Sequence, residues 1–228
     1  MNWLTQNLAL LGELTLQHLA LALPAILAAS LISVPIGWWA NRSKRFGGTL
    51  LTALSLLYAI PSLPMLIIIP VIVGIALRSN TNMVIVLALY GIAVLVRQVA
   101  DAFASLPTSV LEAADSLGYP ALRRFFEVEL PLALPSILAG VRVVVVSTVS
   151  LVTVGAFIGV RSLGTLFTDG FQRGLISEVL SGLVATLVVA LVLDALLVLL
   201  GWVATPWTRS QERLEQTRKA RMISEVNA

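Results

Sequence analysis

Residues 111–135 read LEAADSLGYPALRRFFEVELPLALP, and this charged passage decides how the rest of the chain is interpreted. It contains two arginines and four carboxylates, yet the stretches on both sides of it are apolar enough to enter a lipid bilayer. Charged side chains are costly at bilayer depth. The passage therefore predicts a helical segment at the membrane surface of a protein whose other helices are embedded in the membrane.

The composition of the whole chain agrees with a membrane protein. Of its 228 residues, 58% are hydrophobic and 12% are charged, and the mean hydropathy is +0.95. Soluble domains average about 25% charged residues. A sequence without cysteine excludes disulfides, thiolate catalysis and cysteine-ligated metals. The net charge of +3 does not indicate nucleic-acid binding, because the basic residues lie in short loops and in the tail. We expect no cleaved signal peptide, since no Lys or Arg precedes the first apolar stretch.

Five stretches meet the requirement of roughly 20 mostly apolar residues for a membrane-spanning helix. They predict an all-α integral membrane domain over residues 1–207, followed by a cytoplasmic basic tail over residues 208–228. The five predicted spans are residues 18–40, 49–76, 83–106, 135–158 and 179–203.

The second stretch contains Pro61, Pro64 and Pro70. Proline removes a backbone donor and kinks a helix, and such breaks survive in lipid only where protein or water satisfies the freed groups. The stretch is either one broken or tilted span or two short re-entrant pieces. Its segment 60–64, which includes Ser62, either lines an internal pathway or forms a kink that serves packing.

The distribution of Lys and Arg over the short loops predicts the orientation. The side with more basic residues is cytoplasmic, which places the N-terminus outside and the C-terminus in the cytoplasm of a multi-pass protein of the plasma or inner membrane. Trp38, Trp39, Trp202 and Trp207 fall at the cytoplasmic span ends, where interfacial aromatics are common. The cytoplasmic side holds Arg42, Lys44, Arg45, Arg123, Arg124, Arg209, Arg213, Arg218, Lys219 and Arg221, and the other side holds Arg78, Arg161 and Arg173.

Residues 107–126, which overlap the charged passage, predict two short helices separated by a break. Ser109-x-x-Glu112 has the form of a capping box, so the first helix is expected to begin there. Gly118 suits a left-handed position after the helix end, and Pro120 suits the first turn of the second helix. Such a helix either lies on the lipid surface or docks into the groove of a partner, and its small alanines beside acidic residues favour a protein groove.

The spacing of residues in this passage resembles the EAA signature of ABC-importer permeases. Glu112-Ala113-Ala114, Gly118 and Val128-x-Leu130-Pro131 follow the pattern EAA-x3-G-x9-I-x-LP, with Val in place of Ile. The resemblance implies the type I importer permease fold (MetI-like) with five transmembrane helices, and coupling helices that contact a separate ATP-binding subunit. The residues it assigns to that contact are Glu112, Ala113, Ala114, Leu117, Gly118, Tyr119, Arg123 and Arg124.

No G-x4-GK[ST] phosphate loop occurs in the chain, so ATP and Mg²⁺ are expected on the partner ATPase subunit. Stretches at 58–75, 85–103 and 128–143 are most similar to permeases for glycine betaine, choline, carnitine and related osmoprotectants. That resemblance implies an extracytoplasmic substrate-binding protein and a second permease, either a copy or a paralogue. A methionine-type permease and an ion-coupled secondary transporter are the alternatives. Arg161 departs from the G-A-G-G-L-G pattern that the family shows after span four, and adds a positive charge at the outer mouth.

Four charged residues lie inside the predicted spans: Arg97, Asp101, Arg142 and Asp194. They predict either an interhelical ion-pair cluster that fixes the bundle or a cytoplasmic gate whose pairs re-form during transport. A proton relay has only a lone Asp on span five to support it.

Tyr58 and Tyr90 are the aromatics best placed to hold a quaternary ammonium group, and either could instead serve packing. His18 is predicted to be an interfacial residue, and a lone histidine forms no metal site. No nucleophile and base lie at matching depth, so enzyme activity in this chain is not expected.

Overall fold

The computed structural model describes residues 3, 6–43 and 45–207, and this part of the chain is helical without a strand. The predicted basic tail and Lys44 lie outside the described residues. We number the helices α1 (Leu8–Arg42), α2 (Gly47–Ala59), α3 (Ser62–Val73), α4 (Asn80–Ala104), α5 (Thr108–Ser116), α6 (Ala121–Arg124), α7 (Leu130–Val154), α8 (Gly164–Arg173) and α9 (Ile176–Ala204). A π-helical segment, Phe125–Glu129, joins α6 to α7, and a 3₁₀ turn, Gly155–Ile158, follows α7.

Four continuous helical stretches are long and apolar enough to cross a membrane: α1, α4, α9 and the stretch Ala121–Ile158 that contains α7. The fifth candidate is the pair α2 and α3, whose axes are bent by 110° at the break. Counted as one broken crossing, the pair completes five spans. The break at Ile60 and Pro61 agrees with either a broken span or two short re-entrant pieces, and it excludes a span that is tilted but continuous.

Two features of the fold differ from the hydropathy pattern. Helix α1 begins at Leu8, ten residues before the predicted start, because Glu13 and Gln17 lower the hydropathy there without interrupting the helix. Helix α8 has no counterpart among the predicted spans. Its ten residues are too few and too polar to meet a membrane-span criterion, although they form a regular amphipathic helix.

The core lies where α1, α4 and α7 pack together, and small residues allow the close approach. Gly91 of α4 is one example, because a Cβ added there would lie 2.6 Å from the Cβ of Ala29 on α1. Helix α4 is buried over most of its surface, whereas α9 is buried over very little of it. The bundle therefore has a centre, α4, and an open side, α9.

Candidate functional site

The first helix of the charged passage, α5, begins one residue before the predicted capping box. Pro107 occupies the N-cap position, no side chain caps the helix, and Ser109 lies inside the first turn. The predicted capping box is therefore wrong. Proline holds its own φ near the helical value and disfavours helix in the residue before it, so Pro107 by itself marks the boundary.

The end of α5 follows the prediction. Gly118 has φ +77, in the left-handed region. Its N–H donates to the carbonyl of Asp115 at 3.0 Å, and the N–H of Tyr119 donates to the carbonyl of Ala114 at 3.1 Å. These two bonds form a Schellman motif, which satisfies the last carbonyls of the helix and reverses the chain. Pro120 is the N-cap of α6, so the turn between the two helices is built from Gly118, Tyr119 and Pro120.

The residues assigned to the coupling contact divide into an exposed set and an inward set. Glu112, Ala113, Leu117 and Gly118 are exposed, and 77% of Leu117 is accessible. Ala114 is buried against its own chain, where α5 packs on the π-helical segment. Ala114 is therefore not available to a partner, contrary to the expectation that both alanines enter a partner's groove.

The same division into an exposed and an inward set separates Arg123, which lies beside Tyr119, from Arg124. The guanidinium of Arg123 lies 5.0 Å from the ring centre of the half-buried Tyr119, and its Nε donates to Glu127 at 2.9 Å. Arg124 instead turns inward and pairs with Asp115 of α5 and with Glu129. Adjacent arginines thus have different roles, one on the surface and one inside the fold.

Glu129 is a site residue that the sequence did not reveal. It is 4% exposed and lies at the end of the π-helical segment. Its carboxylate accepts from Trp38 Nε1 at 2.6 Å, from Arg42 Nη2 at 3.1 Å and from Arg124 Nε at 2.7 Å. Trp38 was assigned to the lipid interface, and Glu129 occupies an unspecified position of the EAA pattern. One signal in the sequence could have revealed Glu129. It is a carboxylate beside one membrane span, combined with an arginine and a tryptophan at the end of another span.

The broken span is stabilised by helix α4. In a continuous helix, the carbonyls of Leu57, Ile60 and Leu66 would accept from residues 61, 64 and 70, which are all prolines without an N–H. The carbonyl of Leu57 accepts instead from the N–H of Ile60 at 3.2 Å. Each proline thus removes one bond that a straight span would need.

Two side chains of α4 satisfy the other two carbonyls. The hydroxyl of Tyr90 donates to the carbonyl of Ile60, and the amide of Asn82 donates to the carbonyl of Leu66 at 3.0 Å. Tyr90 and Asn82 are both buried, so these bonds are shielded from lipid. Tyr58, which is exposed, packs edge-on against Tyr90 with ring centres 5.9 Å apart. The two predicted aromatics are therefore neighbours: Tyr90 supports the break and Tyr58 presents its ring beside it.

The four intramembrane charges form two separate pairs. Arg97 and Asp101 pair along one face of α4 at 3.5 Å, and both side chains are more than half exposed. Arg142 of α7 binds Asp194 of α9 through two contacts of 2.6 and 2.8 Å. The predicted interhelical ion pair is present between Arg142 and Asp194, but the described structure shows no contact that joins it to Arg97 and Asp101.

The pair between Arg142 and Asp194 faces an open cleft. The Arg142 side chain is 46% exposed. The cleft measures about 570 Å³, and Ser147 and Ser150 add hydroxyl groups to its wall. Charged and hydroxyl groups at bilayer depth face water or protein rather than lipid chains. This face thus presents charged and hydroxyl groups to the cleft.

Glu13 of α1 neutralises the unexpected Arg161, which lies in the segment after α7. Its guanidinium pairs with Glu13 of α1 at 3.1 Å, so the extra charge ties the loop to the first span. The Ser162 hydroxyl accepts from the N–H of Gly164 at 3.1 Å, and a Cβ at Gly164 would lie 2.1 Å from the Thr153 carbonyl oxygen. A cavity of about 880 Å³ opens beside α8, and its lining includes Phe157, Phe167, Phe171 and Asp169.

His18 is buried, contrary to the predicted interfacial position. Because α1 begins at Leu8, His18 lies almost three turns inside the helix and within the bundle. No group of histidine, aspartate and glutamate residues in the described part of the chain could hold a metal ion.

Five spans around a central α4, with a short helical hairpin at one end, define the membrane-spanning subunit of an ABC importer. The chain belongs to the family described as "Binding-protein-dependent transport system inner membrane component", whose pattern matches residues 33–206. Members of this family are transport subunits rather than enzymes. They work with an ATP-hydrolysing subunit and a substrate-binding protein in the inner membrane.

Several relatives are permeases for osmoprotectants. The chain is 33% identical to the osmoprotectant import permease protein OsmW of Salmonella typhimurium, over 90% of this chain and 96% of the relative. It is 27% identical to the glycine betaine/carnitine/choline transport system permease protein OpuCD of Bacillus subtilis, over 82% of this chain and 79% of the relative. A permease chain of the MetNI methionine ABC transporter, described as inward facing, superposes with a TM-score of 0.77 at 20% identity, covering 87% of this chain and 97% of that one. The methionine transporter therefore shares the fold alone.

Proposed function

We propose that this chain translocates a compatible solute of the glycine betaine, choline, carnitine or proline-betaine type by alternating access. A substrate-binding protein delivers the solute, and a separate subunit hydrolyses ATP. The observation that carries the proposal is the 33% identity to an osmoprotectant permease over 96% of that protein's length. A methionine-type solute is the second candidate, and only the fold likeness favours it. Family membership overturns the ion-coupled alternative.

The coupling segment, residues 107–126, supports docking to the ATP-binding subunit, which would hold ATP and Mg²⁺. Its exposed surface includes three large apolar side chains, Leu117, Leu122 and Phe126. Contiguous exposed apolar groups beside charged ones are typical of a protein interface. Glu112 and Ala113 lie on the exposed part of α5 and complete the proposed contact.

Two features support a solute path between this permease and a second one, either a copy or a paralogue. Helix α9 has little cover within the chain, and the cleft beside Arg142 and Asp194 needs water or protein around it. The broken span supplies a second polar and aromatic stretch, formed by Tyr58, Pro61, Ser62 and Pro64. The outer cavity beside α8 offers phenylalanine rings and the Asp169 carboxylate, the chemistry that attracts a quaternary ammonium ion.

Uptake by cells that express the permease with its ATPase and binding protein tests the solute class. Cells without other uptake systems are given labelled glycine betaine, choline, carnitine or methionine. The proposal expects uptake of at least one quaternary ammonium compound, with methionine at background. Uptake of methionine alone would support the second candidate.

Single introduced cysteines test the proposed orientation, N-terminus outside and C-terminus in the cytoplasm. The chain has no native cysteine, so each introduced thiol reports alone. Ser116→Cys on α5 and Gln172→Cys on α8 are both exposed. A membrane-impermeant maleimide should label Gln172→Cys in intact spheroplasts and Ser116→Cys only after permeabilisation. The reverse pattern would invert the orientation.

A further inference from the structure

An ionic connection centred on the buried Glu129 links the coupling segment to the first membrane span. Asp115 of α5 pairs with Arg124, and Arg124 donates to Glu129 at 2.7 Å. Glu129 in turn accepts from Arg42, at the cytoplasmic end of α1, at 3.1 Å. Three carboxylate and guanidinium contacts therefore run from α5 to α1. We call Asp115, Arg124, Glu129, Arg42 and Trp38 the coupling joint.

The aromatic residues beside the joint reinforce the same connection. Phe125, four residues before Glu129, lies 4.8 Å from the Trp38 ring and 5.9 Å from the Phe103 ring. The guanidinium of Arg42 lies 4.4 Å from the centre of the Trp38 ring. The π-helical segment thus contacts α1 and α4 through apolar rings and α1 again through Glu129.

The partners of Glu129 distinguish it from the neighbouring Glu127. Among the residues that the structure describes, Glu127 pairs with Arg123 alone, four residues earlier, and both side chains are about half exposed or more. Glu129 bonds residues that lie 87 and 91 positions away in the chain. Removing Glu127 would therefore alter one surface pair, whereas removing Glu129 would break the polar contacts between the π-helical segment and α1. A buried carboxylate with three donors holds its partners in one arrangement.

We propose that Glu129 is the positioning residue that transmits movement of the coupling segment to the first membrane span. When α5 is displaced by its ATP-binding partner, Asp115 and Arg124 move with it, and Glu129 carries that displacement to Arg42 and Trp38. The covalent chain by itself connects α5 to α4 and α7, so the joint gives α1 its own mechanical link. This inference rests on the proposed docking of residues 107–126 to the ATPase subunit.

The test compares Glu129→Gln with Glu127→Gln in the assembled transporter. Three quantities are measured: co-purification of the ATPase subunit, substrate-stimulated ATP hydrolysis, and solute taken up per ATP hydrolysed. For Glu129→Gln we expect the first two within about twofold of the native complex. We expect solute per ATP to fall about tenfold, within the usual range of coupling between sites. Glu127→Gln should match the native complex in all three.

Two further variants separate transmission from simple loss of folding. Trp38→Phe removes one donor and keeps the ring against Phe125, so it should lower solute per ATP by about threefold. Arg42→Gln should also uncouple, and the double variant with Glu129→Gln should be no worse than Glu129→Gln alone, because both break one connection. Native stoichiometry in Glu129→Gln, or additive effects of Arg42→Gln and Glu129→Gln, would overturn the proposal.

Failure of the docking hypothesis has a different signature. If residues 107–126 do not bind the ATPase subunit, Leu117→Ser on the exposed face of α5 will leave co-purification unchanged. That result would contradict the proposed interface between the coupling segment and the ATPase subunit. The ratio of solute to ATP in Glu129→Gln concerns transmission and is measured only on complexes that contain the ATPase.

Discussion

The coupling joint and the pair between Arg142 and Asp194 use the same chemistry in opposite surroundings. Both join helices that are far apart in the chain through arginine and carboxylate groups. The carboxylate of Glu129 is buried and has all its donors within the chain, whereas the Arg142 side chain is 46% exposed to a cleft. A closed network fixes one geometry, and an open pair depends on what lies in the cleft.

This difference changes one expectation from the sequence. Arg142 and Asp194 lie inside predicted spans, where a charge that loses its partner is expected to be costly. The cleft keeps Arg142 accessible, so water or a second permease can solvate it. We therefore expect the coupling joint to dominate stability and the membrane pair to affect transport more than folding.

The largest effect should come from breaking the coupling joint at its middle. Arg124→Gln removes the link between Asp115 and Glu129 and leaves a buried carboxylate with fewer donors. We expect a loss of about 3 kcal/mol in the free energy of unfolding. Thermal unfolding of the purified permease in detergent measures it. The matched control is Arg123→Gln, an exposed surface pair, which should unfold like the native protein. Equal destabilisation by the two variants would contradict the distinction between the joint and the surface.

Adjacent alanines give the next largest contrast. Ala114→Leu adds volume where α5 packs on its own chain and should cost about 2 kcal/mol of stability. Ala113→Leu points outward and should leave thermal stability unchanged while reducing co-purification of the ATPase subunit. The reverse assignment of the two phenotypes would mean that α5 is rotated relative to this structure.

The turn after α5 should respond to loss of its glycine. Gly118→Val forces a β-branched residue to φ +77, at about 1–2 kcal/mol, and displaces the exposed face of α5. Transport should uncouple from ATP hydrolysis while the permease remains in the membrane. Gly48→Val is the control, because Gly48 has open space around it and no left-handed φ. Normal stimulated ATPase activity together with normal uptake in Gly118→Val would refute this role of the turn.

The smallest effect on stability is expected at the membrane pair. Asp194→Asn keeps an acceptor for Arg142 and removes only the countercharge of a half-exposed group. The melting temperature should stay close to that of Asp169→Asn, an exposed site on α8, while uptake by Asp194→Asn falls below that of the native protein. A large drop in the melting temperature of Asp194→Asn would show that the cleft is closed in the folded protein and would remove the contrast with the joint.

Features with a local cause could be predicted from the sequence. The apolar stretches, the charged hairpin between the third and fourth crossings and the left-handed Gly118 each depend on a few neighbouring residues. The fixed spacing of the EAA pattern indicated the family, and the match to that family over residues 33–206 confirms it. Helix α8 was missed because its ten residues lack the long apolar run that reveals a span.

The tertiary structure alone decided which distant groups meet. Arg142 pairs with Asp194 rather than joining Arg97, Ala114 turns inward while Ala113 turns outward, and Trp38 serves a buried carboxylate rather than only the lipid interface. Tyr90 and Asn82 of α4 satisfy carbonyls that prolines leave free in another helix pair. The periodicity of one helix gives the faces it presents, but the rotation and depth of its neighbours determine which face meets which. The rotation and depth of a helix depend on packing between residues tens of positions apart. The sequence by itself therefore determined the helices and the class of protein, and the tertiary structure determined the coupling joint that connects the helices.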